Sequence, residues 1–215
     1  DVVIPKDSKC LDHEVEIALV IGKKAKYVDH NNAQEFVLGY CICNDISERD
    51  WQKNKGGQWV KGKSGDTFGP IGPYLVTKDE IKDIFNLNLT LDLNGKRRQT
   101  GNTSLMIFNF NYLISHISQF MTLMPGDIIT TGTPSGVGMG MNPPDYLKEG
   151  DQMTLKVDFL GDIPLEIDLR ECSDNGKPII LSKTDSVVSK KFLEIAKSVT
   201  KKVGDESSSS KPNII

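Results

Sequence analysis

The 215-residue sequence lacks features that mark several whole classes of protein. No apolar run approaches the roughly 18 residues that a membrane-spanning helix needs, so we expect no membrane insertion. Lys and Arg (26) do not outnumber Asp and Glu (29), and a net charge of −3 gives no support for nucleic-acid binding. The length favours one globular domain followed by a tail.

Cysteine is scarce as well. The four cysteines, Cys10, Cys41, Cys43 and Cys172, contain no C-x-x-C pair. A zinc site is the alternative that the residue type allows, but its usual ligand spacings are missing. We therefore expect reduced, mostly buried thiols in an intracellular protein, either cytoplasmic or mitochondrial.

The apolar pattern predicts a mainly β (α+β) chain. Alternation and β-branched residues predict strands at Val2–Ile4, Val15–Ile21 and Val37–Cys43. Further along, Asn94-Gly95 separates two alternating runs, which is the strongest local signal of a β-hairpin.

Helices are fewer. A 3.6-residue period predicts a helix from Asn109 to Leu123, and a short helix is predicted over Asn31–Phe36 with an asparagine cap. Residues 185 to 200 are predicted as an amphipathic helix. The polar, Gly- and Lys-rich stretch 51–66 is predicted as a long loop, and such loops tend to be functional or disordered.

Two glutamates, Glu14 and Glu16, lie at the start of the strand predicted over Val15–Ile21. Residues i and i+2 of a strand point to the same face, so two like charges would lie side by side. Either water solvates both carboxylates or a cation holds them together. Asp45, at the polar end of the next apolar strand, is the candidate for a third ligand. Three carboxylates form a hard oxygen site that favours Mg²⁺ or Mn²⁺, and less so Ca²⁺, over zinc.

Five segments occur in a fixed order, and any one of them alone would be a weak signal. They are LDHEVEIALVIGKKAKYV, GYCICNDISERDWQ, KGKSGDTFGPIGP, NGKRRQTGNTSLMIF and PGDIITTGTPSGVG. Together they resemble the fumarylacetoacetate hydrolase superfamily from about residue 1 to residue 170. Within it, they look most like the animal fumarylacetoacetate hydrolase domain-containing proteins.

The resemblance implies a mixed β-sandwich roll of the fumarylacetoacetate hydrolase C-terminal domain type, assembled as a homodimer. It also implies a Mg²⁺ ion held by Glu14, Glu16 and Asp45, with Mn²⁺ or Ca²⁺ as alternatives. The same-face glutamates would then share a cation rather than face water.

The remaining site residues also come from the resemblance. Lys63 matches the family's catalytic lysine, and an ammonium near a metal can stabilise an enolate oxygen or relay a proton, especially where its pKa is lowered. A solvated surface lysine is the alternative. Arg49, Gln52 and Thr133 match positions that bind substrate oxygens. A surface salt bridge to Glu48 or Asp50 is the alternative for Arg49.

The resemblance sets the expected domain limits. Residues 1–170 are predicted to form the catalytic domain, and residues 171–215 a divergent extension that is partly helical and has a flexible Ser-rich end. The family usually has a further N-terminal stretch, which in some relatives carries a lid with a catalytic base. Because the sequence begins at Asp1 rather than at methionine, we expect it to be a fragment, a processed chain or a trimmed one.

The implied function is that of a Mg²⁺-dependent enzyme acting on small 2-oxo acids through a metal-stabilised enolate. Keto–enol tautomerisation of oxaloacetate is the first expectation. The alternatives are C–C bond hydrolysis of acylpyruvates or related β-diketo acids, decarboxylation of oxaloacetate, and a homologue that binds such ligands without turnover.

Overall fold

A computed structural model describes residues 1–159 and 179–207. The chain divides into two compact units, Asp1–Phe159 and Leu160–Ile215, which are described separately. No helix in the described residues is long and apolar enough to cross a membrane.

The first unit is built mainly from antiparallel strands. They are β1 (Leu11–Asp12), β2 (Val15–Ile21), β3 (Val37–Asn44), β4 (Ser47–Glu48), β5 (Ile71–Thr77), β6 (Asn88–Leu93), β7 (Lys96–Asn102), β8 (Ile128–Thr130) and β9 (Met153–Val157). A four-stranded sheet has the order β5-β3-β2-β8, a three-stranded sheet has the order β7-β6-β9, and β1 pairs with β4. This architecture confirms the predicted mainly β fold class.

Helical segments connect these strands. The α-helices of the first unit are α1 (Arg49–Asn54), α2 (Val60–Lys63) and α3 (Phe110–Phe120), and 3-10 turns lie at His30–Phe36, Lys78–Glu80, Ile84–Asn86, Thr103–Leu105 and Gly138–Gly140. The described part of the second unit contains α4 (Ile179–Ser182) and α5 (Val187–Ser207).

Strand β2 lies in the centre of the four-stranded sheet and is buried on both faces. Its Ile17, Leu19 and Ile21 side chains enter the larger hydrophobic cluster, where Phe110 of α3 is fully buried. On the opposite face, Ala18 packs with two cysteines of β3. Because alternate residues point to opposite faces, Glu16 lies on the face away from the larger cluster.

Several local predictions are confirmed. Strand β2 has the predicted bounds, and β3 extends one residue beyond the prediction to Asn44. The Asn94-Gly95 hairpin joins β6 and β7, and both turn residues have positive φ angles (50° and 73°), as a two-residue hairpin turn requires.

Other predictions are wrong. Val2–Ile4 is not a strand; Val3 N–H donates to the Thr67 hydroxyl, and no strand in the described part of the chain pairs with this segment. The stretch 51–66 contains most of α1 and all of α2 rather than a continuous loop. Helix α1 begins after Glu48, whose carboxylate accepts from Trp51 N–H (2.7 Å). Glutamate is an uncommon N-cap residue, so the start of α1 could not be predicted from the sequence.

Helix boundaries differ from the predicted ones in three further places. The short helix predicted over Asn31–Phe36 is a 3-10 helix, and its cap is Asp29 rather than an asparagine. Helix α3 ends three residues before Leu123, and α5 continues beyond residue 200. The segment DQMTLKVDFLGDIPLEIDLR predicts two strands around a turn at residues 160–162. The first of them is observed as β9, and the second lies outside the described residues.

Candidate metal and substrate site

Three predicted carboxylates meet where β2 begins and β3 ends. Val15 pairs with Asn44 across the two strands, and Asp45 N–H donates to the Glu14 carbonyl (2.9 Å). One carboxylate oxygen from each of Glu14, Glu16 and Asp45 lies within 4.8 Å of the others. Because Glu14 and Glu16 are 9% and 2% exposed, the alternative of two water-solvated glutamates is wrong.

Opposite charges surround the cluster but do not neutralise it. Lys63 Nζ lies 2.8 Å from Glu14 Oε2 and 2.6 Å from Asp45 Oδ2, and Arg49 Nη2 lies 2.7 Å from Glu14 Oε1. With Asp12, which also pairs with Arg49, four carboxylates face two cations. The two remaining negative charges and the all-oxygen donor set fit a hard divalent cation.

Among the described residues, Glu16 has no ion-pair partner. Burial is the main cause that raises the pKa of Glu16 to about 7. The nearby Asp45 and Glu14 carboxylates also raise this pKa, whereas the Gly132 N–H hydrogen bond (2.9 Å) and Lys63 lower it. Desolvation and like charges both favour the protonated acid. Glu16 is therefore the carboxylate whose ionised form would gain most from a cation.

Lys63 reaches the cluster from the end of α2. A Cβ atom at Gly62 would lie 2.6 Å from the Glu48 carbonyl and 2.7 Å from Gln52, so only glycine allows α2 to pack this closely on α1. Lys63 is therefore part of the site and not a solvated surface lysine. Burial favours the neutral amine, but the hydrogen bonds to Asp45 and Glu14 outweigh it and raise the pKa of Lys63.

Arg49 and Gln52 occupy one buried face of α1. Arg49 Nη1 donates to Gln52 Oε1 (3.1 Å), and its Nε donates to Asp12 Oδ2 (2.9 Å). The alternative of a surface salt bridge to Glu48 or Asp50 is wrong. The Arg49 fork is instead occupied by groups of the site itself.

Asp12 is a site residue that sequence reasoning missed. Its fully buried carboxylate accepts hydrogen bonds from Arg49 and from the backbone N–H groups of His13 (2.9 Å), Gly138 (2.7 Å) and Met139 (3.0 Å). It thereby joins Arg49 to the segment 138–139. The signal was the period-two spacing of carboxylates at 12, 14 and 16 in LDHEVE.

Thr133 lies on the loop that follows β8. This loop runs along β2 and contacts it through side-chain hydrogen bonds. Backbone pairing ends where Ala18 meets Thr130. Beyond it, the Thr131 hydroxyl donates to the Ile17 carbonyl (2.7 Å), and the Thr133 hydroxyl donates to the Val15 carbonyl (2.8 Å).

These elements surround an open cavity of about 830 Å³. All seven predicted site residues line it: Glu14, Glu16, Asp45, Arg49, Gln52, Lys63 and Thr133. Trp59, Val137 and Met139 provide apolar surface, and Lys53 adds a further cation. The cavity thus combines a carboxylate cluster, a half-buried lysine and room for a small organic acid.

Comparison with known proteins identifies the family of the chain. The model of the fumarylacetoacetate hydrolase C-terminal family matches residues 1–167. The chain belongs to this family. A curated protein of Burkholderia cenocepacia, named "Putative hydrolase", is 55% identical over 160 residues, which are 74% of this chain and 57% of that protein. The chain thus spans little more than half the length of such relatives.

Solved structures of the family are similar too. A 5-carboxymethyl-2-hydroxymuconate delta-isomerase from Mycobacterium smegmatis is 41% identical with a TM-score of 0.67, covering 73% of this chain and 58% of that one. A fumarylacetoacetate hydrolase from Exiguobacterium antarcticum is 41% identical with a TM-score of 0.68, covering 71% of this chain and 54% of that one. The closer resemblance to the animal domain-containing proteins stays a prediction.

Proposed function

We propose that this chain carries the catalytic site of a Mg²⁺-dependent enzyme that acts on small 2-oxo acids, with keto–enol tautomerisation of oxaloacetate as its reaction. The observation that carries this proposal is the cluster of Glu14, Glu16 and Asp45, which keeps uncompensated negative charge beside Lys63 in an open cavity. Two structural relatives are named as isomerases, which supports the proposed reaction class.

Glu14, Glu16 and Asp45 would hold the divalent ion. Their hard oxygen donors and excess charge favour Mg²⁺ or Mn²⁺ over softer metals. When bound, such an ion supplies Lewis acidity for the oxygen atoms of a 2-oxo acid.

Lys63 holds the proton in this proposal. Its Nζ, hydrogen-bonded to Asp45 and Glu14 at the edge of the cavity, enters the reaction as an acid. In ketonisation it delivers a proton to C3 of the enol, and the proton that the enol hydroxyl loses restores the ammonium. The reverse sequence forms the enol, so no other reactant is needed.

The other lining residues orient the acid. Gln52 would contact the substrate's far carboxylate, and Thr133 lines the same cavity. Arg49 contributes mainly by holding Glu14 and Gln52, because its donors are bound to them and to Asp12.

The direct test follows the decay of enol-oxaloacetate with Mg²⁺ present. We expect the chain to accelerate ketonisation over buffer with Mg²⁺, and Glu16→Gln or Asp45→Asn to abolish the acceleration. Decay at the buffer rate with the wild-type chain would rule out the tautomerase.

C–C hydrolysis of acylpyruvates is the second candidate, and relatives named as hydrolases favour it. Pyruvate formed from acetylpyruvate would support it, whereas pyruvate and CO₂ formed from oxaloacetate would indicate a decarboxylase. The whole protein's substrate depends on residues beyond this chain as well, since the chain covers 57% of its relatives.

Ligand binding separates an enzyme from a binding homologue. Oxalate mimics the planar enolate of a 2-oxo acid, and a ligand at about 100 times Kd stabilises the native state by roughly 2.7 kcal/mol. For a chain of this size, the melting temperature should rise by about 5–10 °C, and only when Mg²⁺ and oxalate are both present. This shift without any turnover would indicate the binding homologue.

Two further proposals concern the whole protein. A homodimer is expected, and light scattering of the purified chain would measure its mass. The intracellular location, cytoplasmic or mitochondrial, stays a prediction based on the reduced cysteines; Cys41 and Cys43 are free and buried, whereas Cys172 lies outside the described residues.

A further inference from the structure

Gln99, on β7, lies behind the cavity wall and is fully buried. Thr133 and Pro134 line the cavity, and Gln99 contacts both without lining it itself. Its side chain also contacts Val15, the residue between the two glutamates of the metal cluster. One amide therefore links the strand of proposed metal ligands to the loop that carries Thr133.

The orientation of this amide follows from its backbone partners. Val15 N–H can only donate, so the atom 3.1 Å away must be the Gln99 oxygen. The Pro134 carbonyl can only accept, so the atom 2.8 Å away must be the Gln99 nitrogen. His13 Nδ1, 3.1 Å from the same oxygen, must then carry its hydrogen.

The orientation of Gln99 determines what the Thr133 hydroxyl can do. Gln99 Nε2 donates to Thr133 Oγ1 (2.8 Å), so the Thr133 hydrogen must point elsewhere. It is donated to the Val15 carbonyl (2.8 Å). A hydroxyl has one hydrogen and two lone pairs, so only one lone pair remains for any ligand.

We propose that Gln99 is a positioning residue that holds residues 131–135 against β2 and fixes the Thr133 hydroxyl as a hydrogen-bond acceptor toward the cavity. Its effect on a ligand rests on the proposed function. A carboxylate would then find no donor in the Thr133 side chain, whereas a ligand hydroxyl or ammonium would find an acceptor.

Hydrogen–deuterium exchange without added metal tests the positioning role. Gln99→Glu keeps the acceptor for Val15 N–H, but the carboxylate cannot donate to Pro134 or Thr133. We expect amide exchange in residues 131–136 to become at least tenfold faster. Gln119→Glu, an exposed amide on α3, is the matched control and should leave these rates unchanged. Unchanged exchange in Gln99→Glu would overturn the proposal.

A second pair of variants decides the question if Gln99→Glu does not fold. Thr133→Val removes the hydroxyl with little change in volume, and Thr133→Ser keeps it. Exchange in residues 131–136 should be at least tenfold faster in the valine variant and within threefold of wild type in the serine variant. Equal exchange in the two variants would overturn the proposal.

Oxalate binding in the presence of Mg²⁺ tests the polarity of the hydroxyl. The oxalate dianion can only accept hydrogen bonds, so Thr133→Val should bind it within threefold of Thr133→Ser. Binding weakened tenfold or more by valine would show that Thr133 donates, against the proposal. If wild type binds neither Mg²⁺ nor oxalate, the proposed function fails, and the exchange rates still decide the role of Gln99.

Discussion

Lys63 Nζ lies 2.6 Å from Asp45 Oδ2 and 2.8 Å from Glu14 Oε2, so one ammonium joins two of the three clustered carboxylates. Lys63 thus stabilises the folded site. Among the described residues, it is also the only cationic side chain that contacts both Asp45 and Glu14. These two roles can be separated by experiment.

Lys63→Ala should lower turnover by about 10²–10⁴-fold, because a positioned acid is lost. It should strengthen the stabilisation by Mg²⁺, because the carboxylates then lack their ammonium. Rates of enol-oxaloacetate decay and melting temperatures with and without Mg²⁺ measure both effects. The control is Lys61→Ala, which removes an exposed ammonium that donates to the Lys55 carbonyl (2.7 Å). Full activity in Lys63→Ala would contradict its assigned role.

Glu16→Gln should stabilise the chain at pH 8 when divalent ions are chelated. Folding raises the pKa of Glu16 from 4.5 to about 7, so ionisation costs stability as pH rises from 4.5 to 7. The glutamine removes this cost, which we expect to be about 1–3 kcal/mol at pH 8 and close to zero at pH 4.

Urea unfolding at the two pH values measures this difference. The variant should also lose stabilisation by Mg²⁺, while Glu35→Gln, at an exposed position, should match wild type in both respects. Equal stability of Glu16→Gln and wild type at pH 8 would mean that burial of Glu16 is not costly.

Gly62→Ala should destabilise the fold by about 1–3 kcal/mol, because its Cβ atom would overlap the Glu48 carbonyl and Gln52. The displaced α2 should move Lys63 and reduce turnover while Mg²⁺ binding persists. Gly140→Ala is the matched control, since its nearest neighbour would lie 3.8 Å away. Wild-type activity in Gly62→Ala would show that α2 adjusts without moving Lys63.

Asp12→Asn should destabilise the fold by about 3 kcal/mol, because it leaves buried Arg49 without one ion partner. The bonds to Gly138 and Met139 should weaken as well, which exchange of their amide hydrogens would report. Asp50→Asn removes a carboxylate from an exposed ion pair and should change the stability far less than Asp12→Asn does. Similar losses in the two variants would argue against the role of Asp12.

Short-range signals predicted the strands that form the site. Alternation located β2, and the Asn94-Gly95 turn located the β6–β7 hairpin, because both depend on neighbouring residues. The carboxylate spacing alone left both water and a cation open and did not favour the cation. The resemblance in sequence favoured the cation, and only the fold showed that Glu16 is buried and has no ion partner among the described residues.

Long-range contacts explain what sequence reasoning missed. Asp12 interacts with Gly138, 126 residues away, and Gln99 interacts with Val15, 84 residues away. No local pattern encodes such pairs. Helix α2 was missed for a related reason: its four residues lack a periodic apolar face, and it is positioned by packing of Gly62 on α1.

The Thr131 and Thr133 hydroxyls extend the contact with β2 beyond the end of β8. This affects how the sequence of the cavity wall can change between relatives. Pro134 has no N–H group and would interrupt an ordinary β-ladder. Here, however, the Thr131 and Thr133 hydroxyls, rather than backbone N–H groups, already make the hydrogen bonds to the β2 carbonyls. The wall of the cavity can therefore change its backbone path without unpairing the central sheet. Relatives could acquire new substrates by altering the residues after Thr133 while inheriting the same strand register.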